Sequence, residues 1–409
     1  MNVLFLTMVS GIANIETSGI YTDLMRKFCD KGHELYIIYP RERRLGLPTE
    51  VTNKGRIHFL GVKTLNVTKT NVLEKGIGQI LLENQFKYAL KRYFGNVIFD
   101  LVLYSTPPIT FTKVIKYAKM KNQKALSYLL LKDIFPQNAV DLGMLSKRGL
   151  KGFLYRSFRK KEKELYQVSD YIGCMSPANV RYVLEHNPEV DPTIVEIAPN
   201  SYEVSSCSES LDVFTVETIR RQYGLPIDKP IFIYGGNMGK PQGIPFLIEC
   251  MKAVKNRKDC HFVIVGNGTE YPKLESFVKE YQPKTVSLFR HLPKDEYDRL
   301  ANACDVGLIF LDYRFSIPNY PSRLLSYLMK RKPIIAVTDP NCDIGTLAEE
   351  YGYGFYSPSN SIETFVKSID KMLISDMRQM GENGYRFFLE NYTTEQTYEA
   401  IMKHTVNAN

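Results

Sequence analysis

The segment Tyr234-Gly-Gly-Asn-Met-Gly-Lys-Pro-Gln-Gly243 follows a short apolar run and precedes a helical pattern. Glycines let a backbone approach a ligand closely, and free amides at a helix entrance favour an anion. Lys240 adds a full positive charge. Gly235, Gly236, Asn237, Met238, Gly239 and Gln242 around Lys240 are therefore candidates for a cradle that neutralises the charge growing on a departing diphosphate. The alternative is a glycine-rich turn with a solvent-facing lysine. It is not a Walker loop, which needs GxxxxGK[ST]. The next apolar run ends in Val265-Gly-Asn-Gly268. Gly266, Asn267 and Gly268 could admit the base or ribose edge of a nucleotide, or form an ordinary strand-to-helix turn. A third segment, Phe315-Ser-Ile-Pro-Asn-Tyr-Pro-Ser-Arg323, supplies Asn319, Pro321, Ser322 and Arg323. Ser322 is placed to cap the helix that follows. Arg323 then falls in a first turn, where the helix dipole disfavours a cation unless an anion lies opposite. A guanidinium matches a phosphate bidentately.

Two segments of the first half carry polar residues at the ends of apolar runs. They are Ser18-Gly19-Ile20-Tyr21 and Lys132-Asp133-Ile-Phe-Pro-Gln137. Ser18, Gly19, Tyr21, Lys132 and Gln137 are candidates for holding a second substrate, and Asp133 for orienting a hydroxyl or simply capping a turn. The six histidines are scattered singly, so no metal-ligand spacing exists, and no Ser/His/Asp order or GxSxG elbow occurs.

Such loops need rigid elements behind them. Apolar runs at Val3–Val9, Glu34–Tyr39, Ile57–Val62, Leu101–Ser105, Ala125–Leu131 and Tyr171–Met175 alternate with helical periods such as Tyr21–Lys31 and Thr110–Met120. The rhythm repeats at Ile231–Tyr234, His261–Val265, Val286–Phe289, Val306–Leu311 and Ile334–Val337, with helices at Pro245–Val254 and Ser322–Lys330. Continuous apolar strands between helices predict parallel sheets covered on both faces. The expected fold is α/β, two doubly wound Rossmann-like domains facing a cleft, with ligands at the carboxyl ends of the strands. Periodicity is lost across Pro199–Val213, which sets domains of 1–203 and 204–390. A last helix, about Thr394–Lys403 within 391–409, is placed to pack back on the first domain.

The 409 residues exceed what one core organises. Lys and Arg total 53 against 44 Asp and Glu. This mild excess suits a binder of diphosphates or of an anionic membrane and does not imply nucleic acid. Seven cysteines without CxxC pairs read as reduced thiols of a cytoplasmic protein. Met1–Val9 is apolar without a basic flank, so it reads as a buried strand rather than a signal peptide. No apolar run is long enough for a membrane span. Lys147–Lys163 holds eight basic residues and one acid, with Leu150, Phe153, Leu154, Tyr155 and Phe158 interleaved, and Phe86–Phe94 has the same flavour. Either stretch fits an anionic bilayer surface or a core helix with a solvated basic face.

The chain resembles the GT-B glycosyltransferases of the retaining family 4. Within them it is similar to the group that adds N-acetylfucosamine or related amino sugars in bacterial O-antigen and capsule synthesis. The resemblance spans nearly the whole length. It is carried by Ser18–Tyr21, Lys132–Gly143, Ser176-Pro-Ala-Asn179, Gly235–Gly243, Asp305-Val-Gly-Leu308 and Ile317–Arg323. It implies a nucleotide-sugar donor, UDP-linked, held by the second domain, and a lipid-linked saccharide acceptor held by the first. It also implies no metal and no cofactor, and Lys240, Arg323 and Asp133 as the catalytic set. The acceptor then attacks on the face the diphosphate leaves, and the departing phosphate takes its proton. One departure stands out. Such enzymes usually carry two glutamates spaced E-x7-E, and the equivalents here, counted back from Pro333, are Pro318 and Ser326. That leaves Ser326 as a weaker ribose partner. A nucleotide-sugar epimerase would need paired acids or a histidine at the loop ends. A non-catalytic sensor would have less use for both Lys240 and Arg323.

Overall fold

A computed structural model describes residues 1–67, 72–204 and 212–406, without the side chains of 72–77, 79–80 and 406. Cys207 and most of the Ser- and Glu-rich segment around it lie outside the described residues. The chain divides into two compact units: Met1–Glu203 with Thr393–Asn409, and Val204–Tyr392.

The first unit contains β1 (Asn2–Leu6), β2 (Glu34–Glu42), β3 (Glu50–Lys54), β4 (Ile57–Thr64), β5 (Leu101–Ser105), β6 (Leu126–Leu131), β7 (Tyr171–Cys174) and β8 (Val195–Ile197). They form one sheet in the order β3-β4-β2-β1-β5-β6-β7-β8. The second unit contains β9 (Ile231–Asn237), β10 (His261–Asn267), β11 (Val286–Phe289), β12 (Val306–Phe310), β13 (Ile334–Thr338) and β14 (Gly354–Pro358), ordered β11-β10-β9-β12-β13-β14. All pairings are parallel except β3 with β4. The expected fold class of two doubly wound parallel sheets is what the chain adopts.

The central strands are wholly buried, Val3–Leu6 and Ile334–Val337 among them, which is why they stand out as apolar runs. Three strands escape that signal: β3, β8 and β14. Each is a sheet edge, where one side meets solvent and an apolar run is not required. β3 reads Glu-Val-Thr-Asn-Lys and is mostly exposed; it pairs back through Gly55, whose φ of 56° suits the tight turn. The first run is also shorter than its apolar stretch, because the chain leaves β1 at Leu6 and enters a short 3-10 turn at Ser10–Ala13.

The last helix, Thr394–Val406, belongs to the first unit. Ile401 is wholly buried in that unit's core. Tyr398 and His33 share a 2.8 Å hydrogen bond, and the Thr394 hydroxyl donates to Glu203 at 2.6 Å. No described helix is long and apolar enough to cross a membrane.

The two basic stretches part company. In Phe86–Phe94 Phe86, Ala89, Leu90 and Phe94 are buried while Tyr88, Lys91, Arg92 and Tyr93 are exposed, so it is a core helix with a solvated face. In the helix Gly149–Val168 the apolar residues Leu150, Phe153 and Leu154 are themselves exposed.

Candidate functional site

In the second unit, parallel register sets the two glycine-rich segments side by side, with Gly235 opposite Val265, Gly236 opposite Gly266 and Asn237 opposite Asn267. Much of the space their glycines leave is taken by protein. A Cβ on Gly235 would stand 2.0 Å from the Tyr297 hydroxyl, one on Gly266 1.9 Å from the Gly236 carbonyl, and one on Gly268 2.4 Å from the Met238 carbonyl. At Gly266 and Gly268 the space of the missing side chain is therefore taken by the backbone of the β9 loop. Gly236, at φ 122°, is different. A Cβ there would stand 2.8 Å from Nη2 of Arg323, so this glycine admits the guanidinium to the end of β9.

Arg323 opens the helix Arg323–Met329. Its guanidinium lies over the Tyr234 ring, 4.5 Å from Cζ to centroid. Its Nη1 is buried and has no hydrogen-bond partner among the described residues. Burial acts against the charge, but the phenolic oxygens of Tyr234, Tyr327 and Tyr297 around it hold the pKa above the ordinary arginine value. Four residues earlier, Nδ2 of Asn319 is also a buried donor without a partner. The loop between is firmly held. The Cys342 thiol donates to the Asn319 carbonyl at 3.0 Å, Asn341 donates to the Phe315 carbonyl at 2.7 Å, and Tyr320 hydrogen-bonds Tyr392. Two unmet buried donors on one fixed loop cost about 1–3 kcal/mol each, a cost an anionic acceptor would relieve. Ser322 does not cap the helix: it sits in helical geometry and its hydroxyl makes no capping bond. Pro321 beside it is half-buried.

Lys240 is exposed and forms no ion pair among the described residues. It begins the single turn Lys240–Gln242. Gln242 accepts from the Gly239 amide at 3.1 Å and from Asn237 Nδ2 at 3.3 Å, so these residues shape the loop. Met238 turns inward. Its side chain is wholly buried in the core, its amide donates to Asn267, and its carbonyl accepts from Glu270. Asn267 itself is exposed beside Gly268, whose amide it accepts at 2.8 Å. Ser326 is already engaged, accepting from Lys330 at 3.3 Å, while Lys330 pairs with Asp298 at 2.9 Å. The sequence gives no sign of Asp298 or Tyr297, because both come from the separate helix Lys294–Asn302.

In the first unit, the loop ends after β1, β5 and β6 converge. Asp23, wholly buried, accepts from the Gly19 amide (2.9 Å), the Ser18 hydroxyl (3.3 Å) and the Glu203 amide (2.9 Å). Asp23 thereby holds the loop that carries Ser18 and Gly19. Gln137 is likewise engaged, donating to Asp141 at 2.6 Å. Tyr21 is buried against Phe5, and burial raises its phenol to about 12, with Ser105 hydrogen-bonded to it and Asp133 nearby. Lys132 donates to the Ala198 carbonyl at 2.8 Å, and burial lowers its ammonium to about 7. Asp133 accepts from Asn138 at 2.7 Å, and burial raises its carboxyl to about 6.

That last shift is testable. A carboxyl with a raised folded pKa holds a proton the unfolded chain releases. It favours folding below the ordinary pKa of about 4, and the contribution is lost as pH rises through about 6. Asp133→Asn keeps the acceptor oxygen for Asn138. It is expected to melt like wild type near pH 4 and higher than wild type above about pH 6. Parallel melting curves at all pH values would place the carboxylate in solvent.

Residues 215–387 match the family model described as glycosyl transferases group 1. The chain is 25% identical over 331 residues to "Probable glycosyltransferase WbjE" of Pseudomonas aeruginosa, covering 80% of this chain and 78% of that protein. Among solved structures it is similar to sucrose-phosphate synthase from Thermosynechococcus elongatus, with a TM-score of 0.77 at 14% identity over 100% and 99% of the two chains. It is also similar to WaaG, a glycosyltransferase involved in lipopolysaccharide biosynthesis, with a TM-score of 0.65 at 14% identity over 98% and 99%. The fold is that of the GT-B glycosyltransferases, and the chain is a glycosyltransferase.

Proposed function

We propose that this glycosyltransferase moves a sugar from a nucleoside-diphosphate donor, UDP-linked, held by the second unit, to a lipid-borne saccharide held by the first. The transferred group is an amino sugar such as N-acetylfucosamine, its configuration is retained, and the product is a bacterial surface polysaccharide. The family match over the second unit, the likeness to WbjE and the lipopolysaccharide role of WaaG support the class. The observation that carries the chemistry is Arg323, whose Nη1 is buried without a partner among the described residues, with the equally unmet side-chain amide of Asn319 four residues earlier in the chain.

Breaking the bond between sugar and diphosphate builds negative charge on the leaving phosphate. Fixed donors in a water-poor site stabilise that charge without reorganising. Arg323 and Asn319 take this role, and the exposed Lys240 adds a screened contribution. Asp133, whose carboxyl burial raises to about 6, orients the acceptor hydroxyl, and the proton of that hydroxyl passes to the departing phosphate on the same face. Protein cations thus take the place of a divalent metal. The test is release of nucleotide from a panel of nucleotide sugars, with and without a lipid-diphosphate saccharide and in the presence of a chelator. Acceptor-dependent release that survives chelation is expected. Release without acceptor, or activity restored only by added divalent metal, would overturn the mechanism.

A further inference from the structure

Between Ala198 and Glu203 the chain of the first unit leaves its edge strand β8 and crosses the carboxyl ends of the sheet. Lys132, just past β6, donates to the Ala198 carbonyl at 2.8 Å. Asp23, in the helix Thr22–Asp30 that follows β1, accepts from the Glu203 amide at 2.9 Å. The strand order places β5 between these two anchors. The segment is long enough to cross two strand spacings of about 4.8 Å each. The last helix holds it as well. Thr397 donates to the Pro199 carbonyl at 3.4 Å, and the Thr394 amide donates to the Tyr202 carbonyl at 3.2 Å.

Two side chains between the anchors are buried and unmet. Asn200 is 7% exposed and Ser201 1%, and neither Oδ1 of Asn200 nor Oγ of Ser201 has a hydrogen-bond partner among the described residues. They sit on the stretch that passes the end of β5, which runs out into Thr106. The Thr106 hydroxyl is already committed, accepting from the amides of Lys132 and Asp133 at 3.0 and 3.2 Å. A buried polar atom without a partner is costly, and native structures keep few of them. Two in adjacent residues, on a segment pinned at both ends, point to a ligand that supplies the missing bonds.

We propose that Asn200 and Ser201 bind a hydroxyl of a neutral acceptor sugar, a second point of attachment besides the hydroxyl that Asp133 orients. An amide oxygen only accepts, so Oδ1 of Asn200 needs a donor and would repel a phosphate or a carboxylate. A serine hydroxyl donates or accepts. One sugar hydroxyl serves both, donating to Asn200 and accepting from Ser201. Lys132 does not draw an anion there, because its ammonium donates to the Ala198 carbonyl and burial lowers it to about 7. The proposal rests on the reading of the first unit as the one that holds the acceptor.

The experiment compares full-length wild type, Ser201→Ala and Asn200→Ala in acceptor-dependent nucleotide release. The acceptors are alkyl-diphosphate-linked hexoses, their monodeoxy analogues and the matching uronates. Each variant is expected to raise KM for the best neutral hexose about three- to tenfold, the loss of one neutral hydrogen bond, with kcat and the KM for the nucleotide sugar unchanged. One monodeoxy analogue is expected to be a poorer acceptor than its parent for wild type and equal to it for Ser201→Ala. Ser201→Ala is expected to melt no lower than wild type, since it removes an unmet buried hydroxyl. Asn200→Ala opens a cavity and is read by its KM values alone. A lower melting temperature in Ser201→Ala would give the hydroxyl a structural partner such as a buried water and overturn the subsite. An unchanged acceptor KM in Ser201→Ala, or a wild-type preference for the uronates, would overturn it as well. If wild-type release depends on acceptor while the variants match it, the acceptor reading stands and only the subsite falls. No release with any acceptor would overturn the acceptor reading and the subsite together.

Discussion

Arg323→Ala is expected to lower turnover by about 10²–10³ and to abolish most of the melting shift that UDP induces. The guanidinium reaches the end of β9 only because Gly236 has no Cβ, and its Nη1 is a buried donor with no acceptor among the described residues. A charge-assisted hydrogen bond to a diphosphate is worth about 1.5–3 kcal/mol, and Arg323 can offer two. Arg323→Lys keeps the charge but loses the planar fork, so it should remain impaired. Without nucleotide the alanine variant should melt near wild type. Losing the stack on Tyr234 costs about 0.5–2 kcal/mol, and removing a buried unmet donor returns a similar amount. Lys240→Ala should cost only about tenfold, because an exposed cation is screened by water. A full UDP shift in Arg323→Ala would move the arginine out of the donor site. Equal losses at the two positions would mean that Lys240 is drawn out of solvent on binding.

Gly266→Ala carries the largest expected effect on stability. Its Cβ would lie 1.9 Å from the Gly236 carbonyl and 3.0 Å from that carbonyl carbon, so β9 and β10 would have to part where they are paired. Overpacking of this kind, against backbone rather than a flexible side chain, is expected to cost about 3 kcal/mol or more. In a unit of this size that lowers the melting temperature by roughly 6–12 °C. Gly224→Ala in the same unit is the comparison. Gly224 has φ 64° with nothing near its missing Cβ, so only the backbone strain of about 1 kcal/mol is expected. If Gly266→Ala melts no lower than Gly224→Ala yet loses nucleotide binding, the glycine faces the ligand after all.

The central strands and the division of chemistry between two sheets are legible in the sequence because burial on both faces imposes an apolar run and a helix between runs. That holds for Val3–Leu6, Leu101–Ser105, His261–Val265 and Ile334–Val337. The edge strands β3, β8 and β14 are not, since an edge makes no such demand.

The sequence by itself determined which loop segments carry unusual chemistry: the glycine-rich turn with Lys240, the Pro-Ser-Arg turn before a helix, and Lys132-Asp133 after a strand. Residue type and position suffice there, because a cation at a helix start or a glycine pair after a strand is a local departure from what a fold alone needs. Only the tertiary structure decided what each residue faces. It set Gly236 under Arg323, Tyr297 against Gly235, Met238 in the core, and Asp23 behind Ser18 and Gly19. These partners come from elements far apart in the chain, and a side chain's environment is fixed by the register and packing of those elements, which no local pattern encodes.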